Sequence, residues 1–229
     1  MIPKVIFFYW DNDTLHPLLQ ENIDYVKQQN PEYEVKIITP KIFIELIEEK
    51  YIKYYNRLNK NFSNLGANYA RYLLLYLYGG VYLDIKSRPA KPLNDFINDN
   101  VDCWILREYP SLPNICNSML ISKPNHILFK KVLDKFHYNI AHYKTFTINL
   151  NRPKSNCLEL FGTKMFGIIV NDNLNIFNNI NNILIPSKYY SKYFIFSFCN
   201  TTKKKYSSQH YKLYTKKHYS KIKEHLVIE

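Results

Sequence analysis

"LYLYGGVYLDIKSRP", residues Leu75 to Pro89, is the stretch that decides how this chain folds. An apolar helical run stops at Gly79–Gly80, a short apolar strand follows, and Asp84 falls where that strand should end. Glycine closes helices because it enters the left-handed backbone region that other residues resist. With only 5 glycines in 229 residues, an adjacent pair marks a turn the chain must make at this point. Two positions beyond Asp84, where a second acid would complete a metal-binding pair of carboxylates, stands Lys86.

Upstream of this block, "KVIFFYW" is a continuous apolar and aromatic run suited to a buried strand. "DNDT" reads as a turn and helix cap, and Leu15, Leu18, Leu19, Ile23 and Val26 recur at helical spacing. "NPEY" is a turn and "EVKIIT" a second strand, so the chain opens β-α-β, the unit that builds parallel sheets. "PKIFIELIEEKYIKYYNRL" reads as one amphipathic helix entered at Pro40, and "NFSNLGANYARYLLLYLY" as a largely buried one. Downstream, "SRPAKPLNDF" reads as a loop, "DCWILREY" and "NSMLISKP" as strands, and "NHILFKKVLDKFHYNI" as a helix. "NCLELFGTKMFGIIVNDN" reads as a turn leading into a helix, and "NNILIPSKYYS" and "YFIFSF" as late strands. The expected fold class is α/β, one domain over 1–229 with a core to about residue 200 and a basic, tyrosine-rich segment over 201–229.

Composition narrows the function classes. Hydrophobic residues at 46% and charged ones at 22% describe a globular chain, not a disordered one. The formal charge of +12 suits anionic partners such as nucleotide phosphates, anionic glycans, nucleic acid or a membrane surface. Cys103, Cys116, Cys157 and Cys199 form no CxxC pair, which argues against a zinc or redox motif and for reduced thiols in a cytosol-like compartment. "MIPKVIFFYWDND" is too short an apolar run for a signal peptide or a membrane span. A cytoplasmic protein with at most peripheral membrane contact is the expectation, and the sequons at Asn61 and Asn200 then read as chance in an Asn-rich chain.

In an open α/β sheet, ligands bind beyond the carboxyl ends of the strands. Asp84 and Trp10 both close strands at that edge, and Arg71 lies on the helix leading into the Asp84 strand. An indole stacks on a base, an Arg holds a diphosphate and a carboxylate holds a divalent cation, so the three together would make a nucleotide-diphosphate site. The structural alternative is a core Trp10 and a buried Arg71–Asp84 ion pair.

These residues carry a resemblance. "IPKVIFFYW", "NPEYEVKI", "ANYARYLLLYLYGGVYLDIK" and "NSMLISKPNHILF" resemble successive blocks of the glycosyltransferases with a DxD sugar-binding region, the family 32 group that includes yeast-type mannosyltransferases. "CLELFGTKMF" resembles a later loop of that group more weakly. The resemblance implies a GT-A-like, Rossmann-like fold with a mostly parallel central sheet flanked by helices. It implies transfer of a sugar, with retention, from a UDP- or GDP-linked donor to a glycan or other hydroxyl acceptor. Carried across, Trp10 would stack near the base and ribose, with Tyr9 beside it in the donor-binding set. Arg71 would contact the donor phosphate or sugar, Asp84 would bind ribose, sugar hydroxyl or metal, and Asn117 would sit near the sugar. A late histidine of the family matches His210, with His218 as the alternative, as a metal or diphosphate ligand.

The resemblance also implies a divalent cofactor, Mn2+ or Mg2+, and here the chain departs from the family. Lys86 replaces the second acid of DxD, and Asn68 replaces the acid three residues before Arg71. A charged lysine cannot ligate a cation, but it can neutralise a diphosphate directly. Asn68 keeps hydrogen-bonding capacity without the charge, which bears on sugar choice. The competing expectations are a catalytically degenerate member of the same fold and a nucleic-acid-binding protein using "KKKYSSQHYKLYTKKHYSKIK". That run reads first as a solvated basic surface, and no acid pair suits a glycoside hydrolase.

Overall fold

The computed structural model describes residues 1–12, 14–107, 114–195 and 221–228. His210, His218, Cys199, Asn200 and most of the basic segment lie outside the described residues.

Strand β1 (Val5–Tyr9) is buried on both faces, as its unbroken apolar run requires. Helix α1 (Pro17–Gln29) follows, with Pro17 in its first turn. Its cap is His16, whose Nδ1 accepts from the Leu18 N–H at 3.1 Å, so the expected cap in "DNDT" is one turn too early. Strand β2 (Glu34–Ile38) pairs parallel with β1. The expected long helix from Pro40 is two helices, α2 (Pro40–Leu46) and α3 (Glu49–Asn56). Ile47 is extended between them at φ −110° and ψ 151°, and its buried side chain holds the break in the core.

Helix α4 (Ser63–Tyr78) ends at Gly79, and β3 (Gly80–Leu83) begins at once. Both glycines take positive φ, 65° and 94°. A Cβ on Gly79 would meet the Pro124 nitrogen at 2.7 Å, and one on Gly80 would meet the Val5 carbonyl oxygen at 2.7 Å. The helix-to-strand reversal is therefore closed to any other residue. Next come β4 (Arg88–Pro89), β5 (Cys103–Arg107), β6 (Ile115–Ser122) and α5 (Ile127–Ala141), capped by His126. "NCLELF", expected as a turn, belongs to α6 (Pro153–Phe161), and Gly162 separates it from α7 (Thr163–Asp172). β7 (Asn182–Ile185), α8 (Tyr190–Tyr193) and β8 (Phe194–Ile195) follow.

Among the described residues the main sheet has six strands in the order β2-β1-β3-β6-β5-β7. β1, β2 and β3 are mutually parallel, as are β5 and β7, while β6 runs antiparallel to both its neighbours. Among these described strands β6 alone is reversed, so it starts at the edge where β3 ends. The β5–β6 pairing is irregular there: Trp104 faces Ile121, yet Leu106 faces Cys116. The intervening part of β6 bulges.

Alternation along the strands divides the core in two. Phe7, Tyr9 and Tyr82 point to a cluster shared with Phe43, Tyr55, Leu73, Phe136 and Phe166, so α2 to α7 cover that face. Ile6, Phe8, Val81 and Leu83 point the other way, onto Leu19, Ile23 and Val26 of α1 and onto Leu93 and Phe194. Residues 221–228 return to the first cluster, where Ile222, Leu226 and Val227 are buried and Val227 bridges to Leu58. Among the described residues no helix is long and apolar enough to cross a membrane.

Candidate active site

Asp84 leaves β3 at the carboxyl edge of the sheet, and its own N–H stays on the ladder by donating to the Ser118 carbonyl at 2.8 Å. The chain then turns over Asp84–Ser87, closed by the Ser87 N–H on the Asp84 carbonyl at 2.7 Å. Asn22, fully buried on α1, clamps this turn by donating to the Ile85 and Ser87 carbonyls at 3.1 and 3.0 Å. Lys86 rides on the turn, half-buried.

The Asp84 carboxylate is engaged on both oxygens. Oδ1 meets Arg71 Nη2 at 3.1 Å and accepts from the Tyr82 hydroxyl at 3.3 Å; Oδ2 accepts from Ser118 Oγ at 2.8 Å. Arg71 is buried on α4 and uses its whole fork: Nε donates to the Ala67 carbonyl at 3.1 Å and Nη1 to the Asn117 carbonyl. Its guanidinium lies 4.7 Å from the centre of the Tyr82 ring. Burial works against the Arg71 charge and the Asp84 carboxylate works for it; the net direction is upward. Burial also raises the Tyr82 hydroxyl, so Tyr82 is a hydrogen-bond donor at any physiological pH. Asn117 Nδ2 donates to Asn68 Oδ1 at 3.2 Å and joins the fourth expected residue to the group.

Consecutive strand residues point to opposite faces. Asn117 and Ser118 nevertheless both reach partners on the α4 side, Asn68 and Asp84. The bulge in β6 is what turns them the same way.

Of the residues expected from sequence, Asn68, Arg71, Asp84 and Asn117 form one hydrogen-bonded group. Trp10 and Tyr9 stand at the same edge on the adjacent strand, since Phe8 pairs with Leu83, but they point to opposite faces. The Trp10 indole packs in the α1-side core and donates to the Thr14 carbonyl at 2.9 Å. Tyr9 points to the α4 side, where its hydroxyl lies 2.9 Å from that of Tyr55 and beneath Gly66. Burial raises the Tyr9 hydroxyl well above its ordinary range. Tyr82 and Ser118 were not foreseen. Tyr82 was accessible in principle, two positions before Asp84 on the same strand face; Ser118 had no signal, being one serine within an apolar strand.

Among the described residues, the group around Asp84 does not fit a dedicated divalent-metal site. Such ions take several oxygen ligands, usually more than one carboxylate. Here a single carboxylate is already claimed by a guanidinium and two hydroxyls, and its expected partner is a lysine. Among the described residues no three His, Cys, Asp or Glu side chains gather.

Residues 17–103 match the model of the glycosyltransferase sugar-binding region containing a DXD motif. An uncharacterized glycosyltransferase of Acanthamoeba polyphaga mimivirus is 28% identical over 158 residues, which is 69% of this chain. The chain spans about half, 48%, of that curated relative's length. Among solved structures the PaToxG glycosyltransferase superposes with a TM-score of 0.59 at 19% identity, over 77% of this chain and 73% of its own. That likeness establishes a shared fold, here a GT-A-like mixed α/β sheet flanked by helices. Residues 17–103 of this chain are thus similar to the glycosyltransferase sugar-binding region containing a DXD motif, and Asp84-Ile85-Lys86 lies within the matched stretch.

Proposed function

We propose that the chain transfers a sugar from a UDP- or GDP-linked donor to a hydroxyl of a glycan or other acceptor, with retention of configuration. The observation that carries this reading is the buried Arg71–Asp84 pair at the carboxyl end of β3, itself inside the matched sugar-binding region and held by Tyr82, Ser118 and Asn117. The Asp84 carboxylate is about one-quarter exposed, 23%, so one edge remains open to accept from a ribose or sugar hydroxyl. Asn68 and Asn117 present amide groups beside it, suited to further sugar hydroxyls. The departing diphosphate gains charge, which Arg71 and Lys86 would stabilise, and the acceptor hydroxyl attacks from the same face. No general base on the protein is then required.

The reading includes independence from a divalent cation, with Lys86 supplying the positive charge. A thermal-shift panel of UDP-, GDP- and CMP-sugars, with and without manganese, tests binding, base and metal together. The expected outcome is a shift with one base that chelator leaves intact and Lys86→Ala removes. An absolute manganese requirement overturns the metal-free part, and no shift with any nucleotide sugar overturns the whole. Lys86 and Asn68 together favour one second reading, a donor-binding member that no longer transfers sugar. Donor binding without donor hydrolysis or product would establish it.

A further inference from the structure

A second concave site lies away from the Asp84 group, where residues 221–228 return to the body. It is a cavity of about 640 Å³ whose lining includes Arg57, Lys144, Phe146, Ile148, His225 and Val227. This is the size range of small-molecule sites. Its walls are pinned: the Ile228 N–H donates to the Arg57 carbonyl at 2.8 Å, and the Leu226 N–H to the Tyr143 hydroxyl at 2.9 Å. Asn59 fixes the same segment by donating to the His225 carbonyl at 2.8 Å.

The chemistry of the lining selects its occupant. Arg57 and Lys144 are cationic and His225 adds an imidazole; among the described residues the remaining lining is aromatic or aliphatic apart from the Tyr143 hydroxyl, which is engaged. Among the described residues no carboxylate or side-chain amide lines it, which disfavours a sugar, whose hydroxyls need such acceptors. The neighbouring Glu224 is held outside by Asn59 and Asn61, at 3.0 and 2.8 Å. A basic rim over an apolar floor is complementary to an anion with a hydrocarbon tail.

We propose that this cavity binds an amphipathic anion, an alkyl chain ending in a carboxylate or phosphate, with Arg57 at the head group and Phe146, Ile148 and Val227 along the tail. The site is independent of the donor reading and stands or falls without it.

Isothermal titration of the full chain with decyl phosphate and with decanoate, each below its micellar concentration, tests the proposal. Decyl glucoside and decyltrimethylammonium serve as neutral and cationic controls. Saturable binding of at least one anion is expected. It should weaken roughly tenfold in Arg57→Gln, the scale of one lost charge-assisted contact. It should also be lost in Ile148→Trp, which fills the tail site without touching the charges. Preference for decyl phosphate would identify a lipid phosphate as the natural source, and preference for decanoate a fatty acid. The proposal is overturned if neither anion binds, if a control binds as tightly, or if inorganic phosphate at equal concentration displaces decyl phosphate. It is equally overturned if Arg57→Gln, folded by circular dichroism, binds like the wild type. Should Arg57→Gln not fold, undiminished binding by Ile148→Trp overturns it.

Discussion

Arg71 holds its charge where water hardly reaches, and only the carboxylate and carbonyls around it make that position tolerable. Breaking a buried pair by removing one partner costs far more than the pair contributes, because the other charge is stranded. Asp84→Ala should therefore destabilise the fold by about 3 kcal/mol, the low end for buried pairs because Asp84 is partly exposed. Ser118→Ala, which removes one of several donors to Asp84, should cost only about 1 kcal/mol. Urea unfolding of both variants checks this, and equal midpoints for Asp84→Ala and the wild type would refute the stranded-charge argument. At this scale the sequence was legible where chemistry and position coincide. Asp84 is an acid at the end of a strand opened by two glycines, and Arg71 is a lone cation in an apolar helix. Trp10 shows the limit: it stands at the right edge, yet parity sends its indole into the α1-side core, and a strand pattern alone does not say which face holds the site.

Among the elements, the passage from α4 to β3 depends on backbone freedom. An alanine at Gly80 would have to hold φ near 94° with its Cβ against the Val5 carbonyl. Gly80→Ala should cost about 2 kcal/mol or more, seen as a lowered unfolding midpoint; a neutral result would mean β1 and β3 can part without loss. The contact between α3 and α5 carries a pH dependence. His137 stacks on Tyr54 at 3.8 Å between ring centres and shares a hydrogen bond with the Tyr69 hydroxyl at 2.9 Å. Burial lowers its pKa to about 4, with Asp134 opposing and Lys53 assisting. The unfolded chain, with an ordinary value of about 6.5, thus binds the proton more readily. The stability owed to neutral His137 is complete above that value and is lost as pH falls toward 4. Stability measured across this interval should fall less steeply in His137→Gln than in the wild type; parallel curves would remove His137 as the cause. The existence of these elements was readable from periodicity, but the break at Ile47 was not, because the amphipathic pattern continues across it. Nor was the reversal of β6, since alternation of apolar residues carries no direction.

Over the whole molecule, residues 221–228 fasten the late chain to the α4-side core, with Leu226 fully buried beside Tyr143 and Leu58. Leu226→Ala should lose about 3 kcal/mol through the cavity it leaves, and calorimetry should show a single lowered transition. A wild-type melting temperature would mean that the segment packs without contributing to stability. The bulge in β6 has a different consequence. Regular pairing of Trp104 through Leu106 would need a shorter β6, and such a strand would satisfy the sheet better. Asn117 and Ser118 would then face opposite sides, and one of them would leave Asn68 or Asp84. Here stability and activity make opposing demands on a few residues. A chain selected for thermal resistance alone would be expected to straighten this strand and lose the site while keeping the fold.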